Sequence, residues 1–278
     1  MTRLRTLAFF GLLTSLMLLL ATAWGEAAEG RLRVSTTTST ENSGLLAALI
    51  PPFEAKFRLQ VDVIPVGTGK ALKLAEGGDV DVTLVHAPSL EELFVKEGFG
   101  VNRRYVMYND FVLVGPPHDP AGIKGAPDAT SAFQGIAKAK ALFISRGDRS
   151  GTHLKELSLW EKGRVTPSLP WYLEAGRAMG AVLIIADQKR AYTLTDRGTY
   201  LAFRRKLELS ILVEGDSALF NPYHVIAVNP ARHPHVNYLN AMLLVGWLTS
   251  PEGQKIIGNF GTREFGRPLF VPAAIPNQ

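Results

Sequence analysis

The sequence predicts an α/β protein of two lobes joined by two crossing strands. Short β-branched runs alternate with amphipathic helical patterns, which is typical of α/β architecture. Segments 108–116 and 220–230 both open with an aromatic residue, Asn, any residue and a second aromatic residue, and both continue into an apolar strand that ends at Pro. If these strands are antiparallel, the chain leaves one lobe at the first and returns at the second. We therefore predict lobe 1 at residues 28–108 and 224–278 and lobe 2, an insertion, at 109–223; two unrelated buried strands are the alternative.

The separate elements follow from apolar periodicity and from turn residues. Strands are predicted at 31–35, 59–66, 80–86, 141–145 and 209–213. Helices are predicted at 44–57, 70–76, 90–97, 151–162, 180–186, 200–206, 239–248 and 252–259. We expect Pro51 and Pro52 to kink the first of these helices. Ser250, Pro251 and Glu252 give the last one its cap, first-turn proline and first-turn acid.

The composition removes several classes of function. The 278 residues are 46% hydrophobic and 20% charged, as in ordinary globular proteins, and none is cysteine. The chain can therefore form no disulfide, Cys-ligated zinc site, iron–sulfur cluster or thiol nucleophile. The formal charge of +5 raises the question of an anionic partner. The basic residues are scattered and do not alternate with aromatic residues, so we expect no nucleic acid to bind.

The N-terminus has the pattern of a secretory signal peptide. Two arginines precede an apolar run over residues 7–20, and small residues follow. The run is short for the roughly 20 apolar residues that a membrane-spanning helix needs. We expect residues 1–27 to be removed, with cleavage after Ala23 or Ala27, and the mature protein to lie free in a periplasm.

Three strand-to-helix turns carry hydroxyl groups or glycines where a helix begins: residues 35–40, 67–70 and 145–152. A helix start has unpaired N–H groups and a partial positive charge, so it attracts an anion. Each turn alone is also what an ordinary N-cap looks like. Together they lie at the carboxyl ends of strands, where α/β sheets bind ligands, and they come from both lobes. The pattern predicts an oxyanion held between the lobes.

Arg146 is the one full charge that we expect on this anion, because a guanidinium can bridge two oxygens. Asp148, two residues on, is placed to hold the guanidinium; a surface ion pair is the alternative. Lys70 is expected to point to solvent.

Asp148, Ser150 and His153 are too close in sequence to assemble a catalytic triad, and no nucleophile elbow or phosphate-binding loop is present. We therefore expect no enzymatic activity.

The histidines do not predict a metal site. His233 and His235 lack a third ligand nearby, and we interpret them as part of a solvent-exposed turn. His153 is expected on a helix face, with a supporting role at the site as the alternative. His86 follows a predicted strand near the cleft, where it would contact the anion only if protonated. No cofactor is predicted.

The motifs together resemble those of the tungstate-binding proteins of ABC importers. The matching segments are 34–40, 66–72, 79–88, 103–104, 109–111, 146–153 and 253–254, and the resemblance extends over about residues 31–272. More widely, the chain is similar to periplasmic phosphate- and molybdate-binding proteins. The resemblance implies a two-lobed type II periplasmic binding protein that captures a solute and delivers it to a membrane permease, as a monomer. By motif match it assigns the anion site to Thr37, Thr38, Ser39, Thr68, Arg146, Ser150, Gly151 and Thr152, with Asp148 supporting Arg146.

The strand that ends in His86, Ala87 and Pro88 departs from the phosphate-binding pattern, in which an Asp accepts the proton of hydrogen phosphate. A deprotonated dianion such as tungstate, molybdate or sulfate offers no such proton. We therefore expect phosphate to be disfavoured. The sequence leaves open the choice between tungstate and molybdate, which hydroxyls of 37–39 face the anion, and whether the protein also serves a sensor.

Overall fold

The computed structural model describes residues 30–274, so the predicted signal peptide lies outside the described residues. The strands are β1 (Gly30–Thr37), β2 (Leu59–Val66), β3 (Val82–Val85), β4 (Gly100–Gly115), β5 (Phe143–Ser145), β6 (Tyr172–Glu174), β7 (Thr193–Asp196), β8 (Ser210–Val213), β9 (Phe220–Val228) and β10 (Val271–Pro272). The helices are α1 (Thr38–Asn42), α2 (Leu45–Phe57), α3 (Thr68–Glu76), α4 (Pro88–Lys96), α5 (Ala129–Ala139), α6 (Gly151–Lys162), α7 (Met179–Gln188), α8 (Arg197–Phe203), α9 (Tyr238–Thr249), α10 (Pro251–Asn259) and α11 (Thr262–Phe265).

Two antiparallel strands, β4 and β9, cross between the lobes, which confirms the predicted architecture. Asn109 lies opposite Asn221 in their ladder. The first part of β4, residues 100–110, pairs with β9, whereas residues 111–115 pair with β7 and β8. One continuous strand therefore carries hydrogen bonds to both lobes. The lobe boundaries that we drew at 108/109 and 223/224 stay a prediction.

The sheet of lobe 1 places the ends of three strands together. Its order is β10-β4-β9-β3-β1-β2, with β1 parallel to both β2 and β3. The carboxyl ends of parallel strands meet at one edge of a sheet, and ligands bind in α/β proteins at such edges. The segments after β1, β2 and β3 are therefore neighbours at this edge.

Each lobe has its own apolar core. In lobe 1, Phe53 on α2 packs against Trp247 on α9 with ring centroids 6.4 Å apart. In lobe 2, Trp160 on α6 meets the edges of Phe133 and Phe143 at 4.4 and 5.2 Å. Such tilted aromatic contacts fix the orientation of the elements that carry them. Trp160 thus fixes α6, whose N-terminal end belongs to the predicted site.

Several elements differ from the sequence prediction. The hydroxyl-rich segment after β1 is not an open turn, because residues 38–42 form the short helix α1. Helix α3 begins at Thr68 rather than at residue 70, so Thr68 is its first residue. Strand β7, which is polar at three of its four positions, and helix α5 were not predicted. Within residues 30–274, no helix is both long enough and apolar enough to cross a membrane.

Candidate functional site

The first part of the site lies where β1 runs into α1. The Thr37 hydroxyl caps α1 by accepting the Thr40 N–H at 3.2 Å, and it lies 3.0 Å from the Ser39 hydroxyl. Thr37 and Ser39 are buried. The Thr38 hydroxyl is also buried and has no hydrogen-bond partner among the described residues. Since buried hydroxyls are rarely left unpaired, Thr38 is suited to a ligand.

The second part lies at the start of α3. Gly67 has an extended backbone and precedes Thr68, which is fully buried. The Thr68 hydroxyl accepts the N–H of Gly151 at 3.2 Å. Lys70, by contrast, is exposed, as expected.

The third part lies at the start of α6, in lobe 2. Ser150 caps this helix, its hydroxyl accepting the His153 N–H at 3.3 Å. Thr152 is fully buried, and its hydroxyl has no partner in the part of the chain that the structure describes. Lobe 2 therefore contributes an unpaired hydroxyl of its own, in addition to those of Thr38 and Thr83 in lobe 1.

Arg146 is buried beside this helix start, with 2% of its surface exposed. Its Nε and Nη2 atoms donate to one oxygen of Asp148, at 3.1 and 2.5 Å. The other Asp148 oxygen accepts the Ser150 N–H at 3.1 Å. Burial opposes the ionisation of Asp148, but the Arg146 charge and these hydrogen bonds lower its pKa on balance. Asp148 thus fixes the guanidinium, whose Nη1 atom has no acceptor among residues 30–274 and is suited to an anion oxygen.

The lobes come into close contact at Gly151. A Cβ atom at this position would lie 2.8 Å from the carbonyl oxygen of His86, on lobe 1. Only glycine fits such a contact without displacing the backbone. The predicted residues of lobe 2 therefore face those of lobe 1 across a narrow cleft.

Two buried titratable residues join this cluster. His86 has its Nε2 atom 3.2 Å from the hydroxyls of both Thr37 and Ser39, and burial lowers its pKa. Asp196, at the end of β7, accepts the N–H and the hydroxyl of Thr199, both at 2.8 Å, and burial raises its pKa. The charges of His86 and Arg146 act in the opposite direction and lower the pKa of Asp196. Asp196 could not be assigned to the site from the sequence, because β7 itself was not predicted.

The other histidines have local roles. His153 is buried, and its Nδ1 atom accepts the Arg149 N–H at 2.9 Å. His233 and His235 contact the carbonyl oxygens of Glu76 and Gly78, at 2.8 and 3.0 Å, and so hold the turn after α3. His235 is exposed and His233 is half-buried, so the two residues lie in a surface turn as expected. Within the described range, no three His, Asp or Glu side chains are arranged to hold a metal ion.

All eight predicted residues thus lie in the three segments that meet between the lobes. Their role in anion binding stays a prediction. A cleft of neutral donors and one guanidinium between two α/β lobes, crossed by two strands, is the architecture of a solute-binding protein.

Comparison with known proteins agrees with this class. The PBP superfamily domain matches residues 22–252. The tungstate-binding protein TupA of Peptoclostridium acidaminophilum is 47% identical over 249 residues, covering 89% of this chain and 87% of its own. The crystal structure of the tungstate ABC transporter from Geobacter sulfurreducens is 59% identical with a TM-score of 0.78, covering 83% of this chain and 98% of that one. The tungstate-binding protein TupA from Desulfovibrio alaskensis G20 is 45% identical with a TM-score of 0.75, and the match covers 88% of this chain and 100% of that one.

The chain belongs to the PBP superfamily and, within it, to the family of the TupA solute-binding proteins of ABC transporters. The resemblance drawn from the sequence motifs is confirmed.

Proposed function

We propose that this protein captures tungstate, and also molybdate, in the periplasm as a monomer and delivers it to the permease of an ABC importer. The observation that carries the proposal is the pair of buried hydroxyls, Thr38 and Thr152, that lack a protein partner and come from opposite lobes. A tetrahedral dianion supplies acceptors to both, and to Nη1 of Arg146. All of these contacts are hydrogen bonds to oxygen, so no side chain is bonded to the central tungsten or molybdenum atom.

The donor set favours a dianion that carries no proton. Hydrogen phosphate needs an acceptor for its proton, and His86, Ala87 and Pro88 at the end of β3 supply no carboxylate. Asp196 lies near the site, where the N–H and hydroxyl of Thr199 hold its carboxylate in place. We therefore expect phosphate to bind more weakly than tungstate.

A thermal-shift and calorimetry series with tungstate, molybdate, sulfate and phosphate tests the proposal. A ligand at 100 times its Kd stabilises the folded state by about 2.7 kcal/mol, so tungstate should raise the Tm clearly. Replacing both Thr38 and Thr152 by Val should abolish most of that shift. Thr166→Val, at an exposed position, is the matched control. Phosphate binding as tightly as tungstate would contradict the assignment.

The relatives are transport proteins, which supports binding without catalysis, and we expect no turnover of ester or phosphoester substrates.

The predicted cleavage after Ala23 or Ala27 is tested by mass spectrometry of the exported protein. Delivery to a signalling receptor instead of a permease is the alternative role, and vesicles containing the cognate permease distinguish the two by tungstate uptake.

A further inference from the structure

His86 lies between the proposed anion site and the crossing strands. Its Nδ1 atom is 2.9 Å from the Oδ1 atom of Asn221 on β9, and its ring stacks on Tyr223 with centroids 4.5 Å apart. Asn221 in turn donates from Nδ2 to the Oδ1 atom of Asn109 on β4, at 2.7 Å. The imidazole is therefore fixed in place from the side of the crossing strands.

These contacts decide which nitrogen of His86 carries the proton. Because the Nδ2 group of Asn221 donates to Asn109, its Oδ1 atom faces His86 and accepts the Nδ1–H. A neutral imidazole with a proton on Nδ1 has Nε2 as an acceptor. One hydroxyl proton, from Thr37 or Ser39, then points at the ring. That hydroxyl therefore cannot donate a hydrogen bond to an anion.

Several charges act on the ring, and together with burial they decide its state. Burial is the largest influence and lowers the pKa of His86; the Arg146 charge acts in the same direction, and Asp196 and Glu91 oppose them. The neighbouring Tyr223 phenol stays neutral, since burial raises its pKa. A dianion bound to the adjacent hydroxyls adds two negative charges beside the ring, which favours the imidazolium.

We propose that His86 is a positioning residue that takes up a proton when the anion binds. The imidazolium donates from Nδ1 to Asn221 and from Nε2 to the hydroxyl oxygens of Thr37 and Ser39, whose own protons then point at the anion. The proton comes from solvent, through a pocket of about 270 Å³ lined by His86, Asn221 and Lys155. This inference rests on the proposed function and adds to it a coupling between anion binding and pH.

Calorimetry of tungstate binding at about neutral pH, in buffers that differ in ionisation enthalpy, measures the coupling. We expect uptake of about one proton per anion, and an affinity that falls by up to about tenfold for each unit of rising pH while tungstate stays a dianion. In His86→Gln the uptake should disappear and the affinity fall by about 10- to 100-fold. His153→Gln, which removes the other buried histidine near the site, should keep the uptake.

A second measurement does not depend on a variant. In the wild-type protein with labelled histidine, the imidazole nitrogen shifts of His86 should change from neutral to charged on addition of tungstate. Tungstate binding without proton uptake would overturn the inference and leave the proposed function intact, as would uptake that persists in His86→Gln. Absence of any tungstate binding would overturn both.

Discussion

The backbone N–H of Gly151 donates to the hydroxyl of Thr68 across the cleft, at 3.2 Å. Gly151 begins α6 in lobe 2 and Thr68 begins α3 in lobe 1, so two helix starts are joined directly. The contact exists only while the lobes are together, because it links a residue of lobe 1 to a residue of lobe 2. Changes at either residue should therefore act on closure more than on the fold of either lobe.

Replacing Gly151 by Ala should weaken tungstate binding without unfolding the protein. The new Cβ would meet the His86 carbonyl oxygen at 2.8 Å, and opening the cleft relieves that clash. Overpacking of this kind costs about 1–3 kcal/mol, which corresponds to roughly 5- to 150-fold in affinity. Calorimetry measures the loss. Gly67→Ala is the control, because a Cβ there has nothing within 4 Å; equal losses in both variants would contradict the role of the lobe contact.

Replacing Thr68 by Val should also weaken binding, whereas Thr68→Ser should not. Val keeps the volume but leaves the Gly151 N–H without an acceptor in the closed form, at a cost of about 1–3 kcal/mol. Ser keeps the hydroxyl. The ratio of the two dissociation constants measures what the Thr68 hydroxyl contributes to closure and to the anion together, and a ratio near one would show that both contributions are small.

Replacing Arg146 by Gln or Lys should weaken tungstate binding and narrow its preference over molybdate. Removing one partner of a buried charge pair costs about 2–5 kcal/mol, or at least roughly 30-fold in affinity. In Arg146→Gln the Asp148 carboxylate, left unpaired, would also repel the anion. Competitive calorimetry with both anions gives the affinities, and Arg149→Gln, at the exposed position three residues on, is the control. An unchanged affinity ratio would remove Arg146 from the account of selectivity.

Glu156 on α6 should make the stability of lobe 2 depend on pH. Its side chain is buried and accepts hydrogen bonds from Trp160 and Tyr172, at 3.2 and 2.8 Å. Burial raises the pKa of Glu156 from its ordinary value of 4.5 to about 7, although these two hydrogen bonds lower it. The folded state therefore holds the proton more tightly than the unfolded state between these two values.

The stabilising effect of this proton is complete below about pH 4.5 and is lost as the pH rises to about 7, a change of roughly 3 kcal/mol. Glu156→Gln should remove that part of the pH dependence, because the amide keeps an acceptor oxygen and does not ionise. Urea unfolding of both proteins at several pH values measures it. Glu161→Gln, exposed on the same helix, should follow the wild type; a Glu156→Gln curve parallel to the wild-type curve would contradict the assignment.

Much of the fold could be predicted because its strongest signals are local. The repeated aromatic-Asn opening marked the crossing strands, and apolar periodicity gave β2 and α6 with correct bounds. Strand β7 was not predicted because its sequence, Thr-Leu-Thr-Asp, is polar at three of four positions, although all four residues are buried. Only tertiary packing makes such a segment a strand.

The sequence predicts which segments form the site but not the contacts between their side chains. Hydroxyls and glycines at three helix starts show in the sequence, as does the spacing of Arg146 and Asp148. The sequence does not show that His86 reaches Thr37 and Ser39, or that Asp196 enters from another strand. These contacts join residues separated by up to 110 positions, so they depend on how the lobes meet.

The shared strand β4 has a consequence for how the protein unfolds. Since residues 100–110 pair with β9 and residues 111–115 with β7 and β8, loss of either lobe would leave one segment of the same strand without its ladder partners. Unfolding of either lobe therefore removes ladder partners from β4, and the other lobe also depends on β4. We therefore expect a single cooperative endotherm in calorimetry, rather than one transition for each lobe.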